Sequence, residues 1–211
     1  MTMTRDGADT EELLARAGRG DVPARQELLA RHRARLARMV AVRLDPRLAA
    51  RVDPSDVVQE ALIEADRRLA EYLRGQPLPF YPWLRRLAWE RLVKVHQRHL
   101  AARRRSVARE ERRDPPLPDD SVAELAGLLA SGTSPSRRVL LKEVRDRVRA
   151  ALAALPAADR EVLVLRYLEQ LPMREVAAVL GVHEGAAKMR HTRALARLCD
   201  RLGGDPRGGE P

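Results

Sequence analysis

The chain has 211 residues and carries 40 lysines and arginines against 30 aspartates and glutamates, which gives a formal net charge of +10. This balance favours an acidic partner such as nucleic acid. The single cysteine excludes an internal disulfide. The charged N-terminus lacks the apolar core of a secretory signal, and no apolar run approaches the ~20 residues of a membrane span. We therefore expect a cytoplasmic protein with no membrane partner.

Helical patterns begin after residues 1–8, which we expect to be disordered. Residues 9–20 predict a short amphipathic helix. Residues 22–44 predict a longer one, with leucine, methionine and valine at helical spacing on one side and arginines on the other. The Asp45-Pro46 pair ends this helix, because proline cannot continue it.

Two more helices are predicted in the first part of the chain. Asp53 suits an N-cap and Pro54 the first helical position, so a third helix begins there and ends near Leu73. Residues 74–80, RGQPLPF, predict a loop, since glycine and proline interrupt helices. A fourth helix runs from about residue 81 to at least residue 105 and ends in a dense run of arginines.

The composition changes at residues 111–136, where Pro-rich and Gly/Ser-rich stretches predict a flexible linker with room for one small helix. Helical patterns resume at Ser136, and no clean alternating run predicts a strand. We therefore expect an all-α fold, with two small helical domains joined by the linker. The predicted segments are an N-terminal segment 1–20 with its short helix, a first domain 21–110, the linker 111–136, a second domain 137–202 and a disordered tail 203–211.

Residues 171–198 predict two short helices around a tight turn. Gly181 stands where a helix ends in a left-handed residue, and the second helix begins near Glu184. The outer face of this second helix is predicted to be basic and to carry Lys188, Arg190, His191, Arg193 and Arg197. This is the helix-turn-helix pattern, whose second helix enters the DNA major groove. The alternative is a plain helical hairpin with a solvated basic face.

Five of the six aromatic residues lie between Tyr72 and Trp89, beside cations and the predicted Gly/Pro loop. Aromatic rings beside cations can stack on unpaired bases, and such a loop could hold a base swung out of the duplex. The alternative is that the rings form the core of a small domain, which we favour for Trp83 and Trp89. Phe80 and Tyr81, next to the loop, fit either role.

The residues Asp56, Gln59 and Glu60 share one face of the third predicted helix. This polar patch in a basic protein is either an ordinary solvated face or a surface for a basic partner. His96 and His99 have a spacing that metals use, but no cysteine or third histidine joins them, so we expect packing or phosphate contact. No catalytic constellation stands out, and we expect no enzyme activity, no metal and no cofactor.

The order of these motifs resembles that of bacterial RNA polymerase sigma factors of the sigma-70 family, in particular the extracytoplasmic-function (ECF) subfamily. Residues 56–69, DVVQEALIEADRRL, are similar to region 2.2 and residues 80–88, FYPWLRRLA, to region 2.3. The arginine-rich helix that follows is similar to region 2.4, and residues 151–195 resemble region 4. The combination is far more specific than either half alone.

The resemblance implies a subunit that binds core RNA polymerase, recognises the −35 and −10 promoter elements and helps to melt the DNA. The residues that would face the clamp helices of the largest polymerase subunit are Asp56, Gln59 and Glu60. Those that would hold, read or melt the non-template strand at the −10 element are Leu73, Arg74, Gly75, Phe80, Tyr81, Trp83, Glu90, Arg91 and Lys94. Those that would meet the −35 duplex are Lys188, Met189, Arg190, Thr192, Arg193 and Arg197.

Two positions depart from the pattern of the family. Glu90 stands where many members have Asn, and Lys94 where many have Asp, so the −10 preference of relatives cannot be carried over. Members are commonly held by an anti-sigma protein, which is a further candidate partner. The alternative, from another functional class of DNA-binding proteins, is a helix-turn-helix repressor or activator that is not a polymerase subunit. Such a regulator would need a dimerisation surface or a ligand pocket within residues 1–110.

Overall fold

The computed structural model describes residues 3–45, 48, 51–101, 118–130 and 147–203. The described residues contain helices and turns but no strand, so the predicted all-α class is confirmed. The chain divides into two compact units, Met1–Pro116 and Leu117–Pro211. None of the helices in these described ranges is both long and apolar enough to cross a membrane.

The described part of the first unit contains the helices α1 (Met3–Gly18), α2 (Val22–Arg43), α3 (Pro54–Gly75) and α4 (Phe80–Ala101). Helices α2, α3 and α4 pack on one another, and α1 covers α2. Their core consists of fully buried side chains, among them Leu28, Leu36, Met39, Leu69, Leu84 and Leu92. The prediction of a disordered start was wrong in one respect, because α1 begins at Met3 rather than near residue 9.

The starts of α2 and α3 follow from local capping chemistry. The Asp53 carboxylate accepts a hydrogen bond from the Ser55 amide at 2.8 Å, with Pro54 in the first helical position, as predicted. Asp21 caps α2 in the same way through the Ala24 amide at 3.0 Å. That amide, together with the Arg16 guanidinium, holds the pKa of Asp21 below its usual range.

The second unit includes a helix from the predicted linker. This helix, α5 (Asp119–Ala130), packs against a π-helical turn, Val164–Leu168, and buries Leu125 and Ala126 completely. The small helix expected within the linker is therefore a packed element. The remaining linker residues, the first part of the helix predicted from Ser136 and the last part of the tail lie outside the described residues.

The rest of the second unit positions the helix-turn-helix. Residues 147–153 are helical, and then come α6 (Ala157–Leu163), the π-turn that continues it, α7 (Met173–Leu180) and α8 (Glu184–Gly203). The segment after α6 thus winds as a π-helix rather than continuing as an α-helix. Helix α8 packs on both α6 and α7.

Candidate nucleic-acid interface

The turn between α7 and α8 has the geometry that its sequence predicts. Gly181 adopts a left-handed conformation, with φ of 66°, and ends α7. The Val182 amide then donates to the Ala177 carbonyl at 3.0 Å, which closes the turn. Val176 and Ala177 are buried, so the inner face of α7 fixes where α8 begins.

Helix α8 has clearly separated inner and outer faces. Its inner face buries Ala187, Ala194 and Leu198. The opposite face exposes Met189, Thr192 and Arg193, three of the residues predicted to meet the −35 duplex. Because these side chains stand on a helix held from behind by two others, they are presented on a rigid surface.

The cations of α8 do not all point outward. Lys188 is exposed, and its ammonium lies 2.7 Å from the Glu184 carboxylate one turn earlier. Arg190 is half-buried. Arg197 donates a hydrogen bond to the buried carboxylate of Asp159 on α6, so its guanidinium holds two helices together. The predicted basic face is therefore narrower than its sequence indicates.

His191 also differs from its prediction as a residue of the outer face. Its ring is half-buried and stacks on Tyr167 of the π-turn, with ring centroids 5.7 Å apart. The His191 Nε2 lies 3.2 Å from the Tyr167 hydroxyl. Burial and the nearby Arg166 guanidinium both lower the pKa of His191. The side chain thus braces α8 against the π-turn.

In the first unit, α3 exposes Asp56, Gln59 and Glu60 on one face, as their spacing predicts. The Glu60 carboxylate lies 3.6 Å from the Arg91 guanidinium of α4, and Glu64 approaches the same guanidinium to 3.5 Å. Sequence reasoning missed Glu64, although its i+4 spacing from Glu60 was visible. An ion-pair network therefore connects the acidic face of α3 to α4.

The predicted loop is shorter than expected, because α3 continues through Gly75. Gln76 caps the helix in a left-handed conformation, with φ of 36°, and its amide donates to the Tyr72 carbonyl at 2.7 Å. Arg74 and Gly75 are exposed in the last helical turn, whereas Leu73 is half-buried near Gly18 of α1. These three predicted −10 residues thus lie on the helix, ahead of a loop of residues 76–79.

The aromatic residues beside this loop form part of the core. Phe80, Tyr81 and Trp83 are only 4%, 2% and 9% exposed. Rings pack closely here, with centroid distances of 4.5 Å between Tyr72 and Trp83 and 5.3 Å between His32 and Phe80. The burial supports the core role, which was favoured for Trp83 and left open for Phe80 and Tyr81, since none of these rings presents an open face to a base.

Hydrogen bonds attach the same aromatic cluster to the loop and to α2. The Tyr72 hydroxyl donates to the Leu78 carbonyl at 3.0 Å, and the Tyr81 hydroxyl donates to the Arg35 carbonyl at 3.2 Å. The Arg35 guanidinium also covers the Tyr81 ring at 3.6 Å. Burial raises the pKa of Tyr72 to about 12. The aromatic cluster therefore holds the loop in place through the Tyr72 hydrogen bond.

The remaining predicted −10 residues lie along the surface of α4. Lys94 is exposed, while Glu90 pairs with Arg86 one turn earlier at 3.2 Å. His96 faces inward and is buried, with its Nδ1 2.9 Å from the Leu92 carbonyl, so it packs as expected. Among the residues that the structure describes, no three side chains of metal-binding type come together.

The chain is similar to known proteins over nearly its whole length. A family model described as "Sigma-70, region 4" matches residues 145–198. The chain is 31% identical over 194 residues to the ECF RNA polymerase sigma-E factor of Escherichia coli K12, which covers 90% of this chain and 92% of that protein. It is 34% identical over 153 residues to a probable RNA polymerase sigma factor, RfaY, of Xanthomonas campestris, which covers 70% of this chain but only 33% of that protein.

A solved structure extends this likeness to the fold. The structure of CnrH in complex with the cytosolic domain of CnrY matches with a TM-score of 0.52 and 25% sequence identity. The match covers 93% of this chain and 99% of that one. At this coverage, residues of both units contribute to the match.

Proposed function

Because this chain belongs to the ECF RNA polymerase sigma factors, we propose that its two units hold a promoter at two points. The chain is a specificity subunit: it binds core RNA polymerase, directs it to specific promoters and helps to melt promoter DNA. In the proposal, α8 reads the −35 element in intact duplex, while the first unit docks on polymerase and contacts the −10 element. The cytoplasm, where polymerase and promoter DNA meet, is its site of action.

The exposed face of α8 is the observation that carries this proposal. Met189, Thr192 and Arg193 project from a helix whose opposite face is buried, which is how a recognition helix presents side chains to base edges. Lys188 and Arg190 flank this face and reach toward phosphates, which position the helix without reading sequence. Arg197 takes the lesser role of fixing the helix to α6.

The proposed surface for core polymerase is the acidic face of α3. Asp56, Gln59 and Glu60 are exposed along little more than one turn of a rigid helix, a shape that suits the basic clamp helices of the largest polymerase subunit. Opposite charges on the two partners speed their association and select the correct register. The network of Glu60 with Arg91 lies at the edge of this surface.

The −10 contacts are proposed for the exposed cations near the end of α3 and along α4. Arg74 and Lys94 stand on the surface and can follow a phosphate backbone, and Arg91 joins them from the ion-pair network. The loop of residues 76–79 would hold a flipped base, with the aromatic cluster keeping the loop in shape. Melting then depends on a well-packed first unit.

A protein that holds the free sigma factor is part of the proposal. The matched structure of CnrH contains the cytosolic domain of CnrY, so at least one protein of this fold binds a second protein. An anti-sigma partner of this kind would compete with polymerase for this chain.

The experiment that tests the proposal is transcription by reconstituted polymerase. Full-length protein and core enzyme are incubated with a pool of duplexes randomised at the −35 and −10 positions, and the transcribed templates are sequenced. We expect enrichment of one −35 and one −10 sequence at a fixed spacing. A helix-turn-helix regulator that is not a polymerase subunit would instead bind DNA without core enzyme and enrich no −10 sequence, and that result would refute the proposal.

A further inference from the structure

Met189 is the most exposed large hydrophobic side chain in the described part of the chain, at 63%. It lies two residues after the fully buried Ala187, which is roughly 200° around the helix and places it on the outermost line of α8. Gly185 and Ala186, just before it, are too small to cover it. A long apolar side chain therefore projects alone from the centre of the proposed DNA-reading face.

The neighbours of Met189 make a protein partner a poor match for this side chain. Thr192 and Arg193, on the same outer face, are polar and exposed, and Lys188 precedes it. An apolar protein-binding patch needs several adjoining hydrophobic residues, which this face of α8 does not provide. One apolar group set among hydroxyl and cationic groups instead matches a base edge flanked by phosphates.

The major groove offers one apolar group at the base edges, the C5-methyl of thymine. We infer that Met189 contacts the C5-methyl of a thymine within the −35 element and makes this position of the promoter specific for thymine. The inference rests on the proposed function, since it needs α8 to lie in the major groove. The unbranched, polarisable thioether of methionine adapts its shape to such a contact.

Replacing thymine by deoxyuridine tests the inference, because it removes the methyl and leaves every hydrogen-bonding group of the base in place. The probe is the −35 duplex that the holoenzyme enriches from a randomised pool, with each thymine replaced in turn. For the wild-type protein we expect one replacement to weaken binding by about three- to fourfold, the value of one buried methyl.

Variants of the protein complete a double-mutant cycle. With Met189→Ala, the same deoxyuridine replacement should have no further effect, because the methyl has lost its partner. Met189→Leu should retain most of the effect, since leucine keeps an apolar side chain of similar volume. Leu128→Ala removes another exposed hydrophobic side chain, on α5, and should keep the full effect.

The possible outcomes separate failure of the proposed function from failure of the inference about Met189. If the holoenzyme enriches no −35 sequence, the proposed function fails and the inference fails with it. If it enriches a −35 sequence without thymine, or if every thymine tolerates replacement, only the inference is overturned. An equal deoxyuridine penalty in wild type and Met189→Ala overturns it as well, as does a Met189→Ala variant whose sole defect is binding to another protein.

Discussion

The guanidinium of Arg91 on α4 lies 3.6 Å from the carboxylate of Glu60 on α3. Glu60 belongs to the surface proposed for core polymerase, whereas Arg91 belongs to the set proposed for the −10 element. One ion pair thus connects the two proposed surfaces of the first unit. Because Glu60 is exposed, the pair adds only about 0–1 kcal/mol to the stability of the fold, which leaves the carboxylate available to a partner.

Reversing the charge of this carboxylate should weaken polymerase binding. In Glu60→Lys we expect the affinity for core polymerase to fall by about tenfold or more, because a cation would then face the basic clamp helices. The measurement is titration of fluorescently labelled full-length protein with core enzyme. The loss should shrink as salt rises, since it is electrostatic.

Glu71→Lys is the matched control for this charge reversal. Glu71 is exposed on the same helix, three turns further along, and lies outside the proposed surface. We expect its substitution to leave polymerase affinity nearly unchanged. Equal losses in the two variants would show that the net charge of the protein, rather than this face of α3, governs the interaction. Thermal unfolding of both variants checks that each retains the fold.

Features that depend on a few consecutive residues could be predicted from the sequence. The left-handed turn at Gly181 and the start of α3 at Asp53 and Pro54 are examples, since each depends on local backbone chemistry. The exposure of Asp56, Gln59 and Glu60 followed from helical spacing in the same way. These local features position much of each candidate surface.

Features that depend on distant partners could not be predicted. Arg197 pairs with Asp159, 38 residues earlier, and nothing in the spacing of α8 distinguishes it from Arg193. Tyr81 packs against Arg35 of α2, 46 residues earlier, so its closeness to the loop could not decide between base contact and the core. Such long-range packing is decided by the tertiary fold, which local patterns do not describe.

The buried position of Trp83 leads to a prediction about stability. Trp83→Ala should lower the free energy of unfolding of the first unit by about 3–5 kcal/mol, because it removes a large ring packed against Tyr72 and Phe80. Chemical denaturation, followed by circular dichroism, measures this change. Trp83→Phe keeps an aromatic ring and should cost clearly less.

Transcription assays separate this role from base stacking. If Trp83 supports the fold, Trp83→Ala should reduce transcription from closed and pre-melted promoters alike, in proportion to the loss of folded protein. Unchanged stability, together with a defect confined to closed promoters, would instead assign the ring to DNA melting and contradict its placement in the core.

The pair formed by Arg197 and Asp159 leads to a prediction of opposite roles for two arginines of α8. Arg197→Ala should lower the free energy of unfolding by about 1–3 kcal/mol, because it leaves a buried carboxylate without its partner. Arg193→Ala, one turn earlier and on the exposed face, should leave stability nearly unchanged. Urea denaturation of the two variants gives the comparison.

In DNA binding the order of the two variants should be reversed, with Arg193→Ala losing more affinity than Arg197→Ala. If Arg193 meets DNA, its removal should weaken binding of the holoenzyme to promoter DNA and, where the contact is to phosphate, reduce the slope of log K against log salt by about one. Arg197→Ala should leave that slope unchanged under conditions where it is folded. A reduced slope for Arg197→Ala would place its guanidinium on phosphate instead of Asp159.

The contact of His191 with Tyr167 makes the stability of the second unit depend on pH. Burial and the nearby Arg166 lower the pKa of His191 below its usual value of about 6.5, so the folded state favours the neutral ring. A group whose pKa is lower in the folded state contributes stability above the unfolded pKa and loses it as pH falls. We therefore expect the free energy of unfolding to decline from about pH 6.5 downward.

The variant His191→Phe isolates this effect, since phenylalanine can still stack on Tyr167 but does not titrate. Urea denaturation of the full chain between pH 8 and pH 5 should show a steeper decline for the wild type than for the variant. The NMR titration of the His191 ring should give a midpoint below 6.5. Parallel pH profiles for the two proteins, or a midpoint at or above 6.5, would show that the ring is solvated and that α8 is not braced against the π-turn in this way.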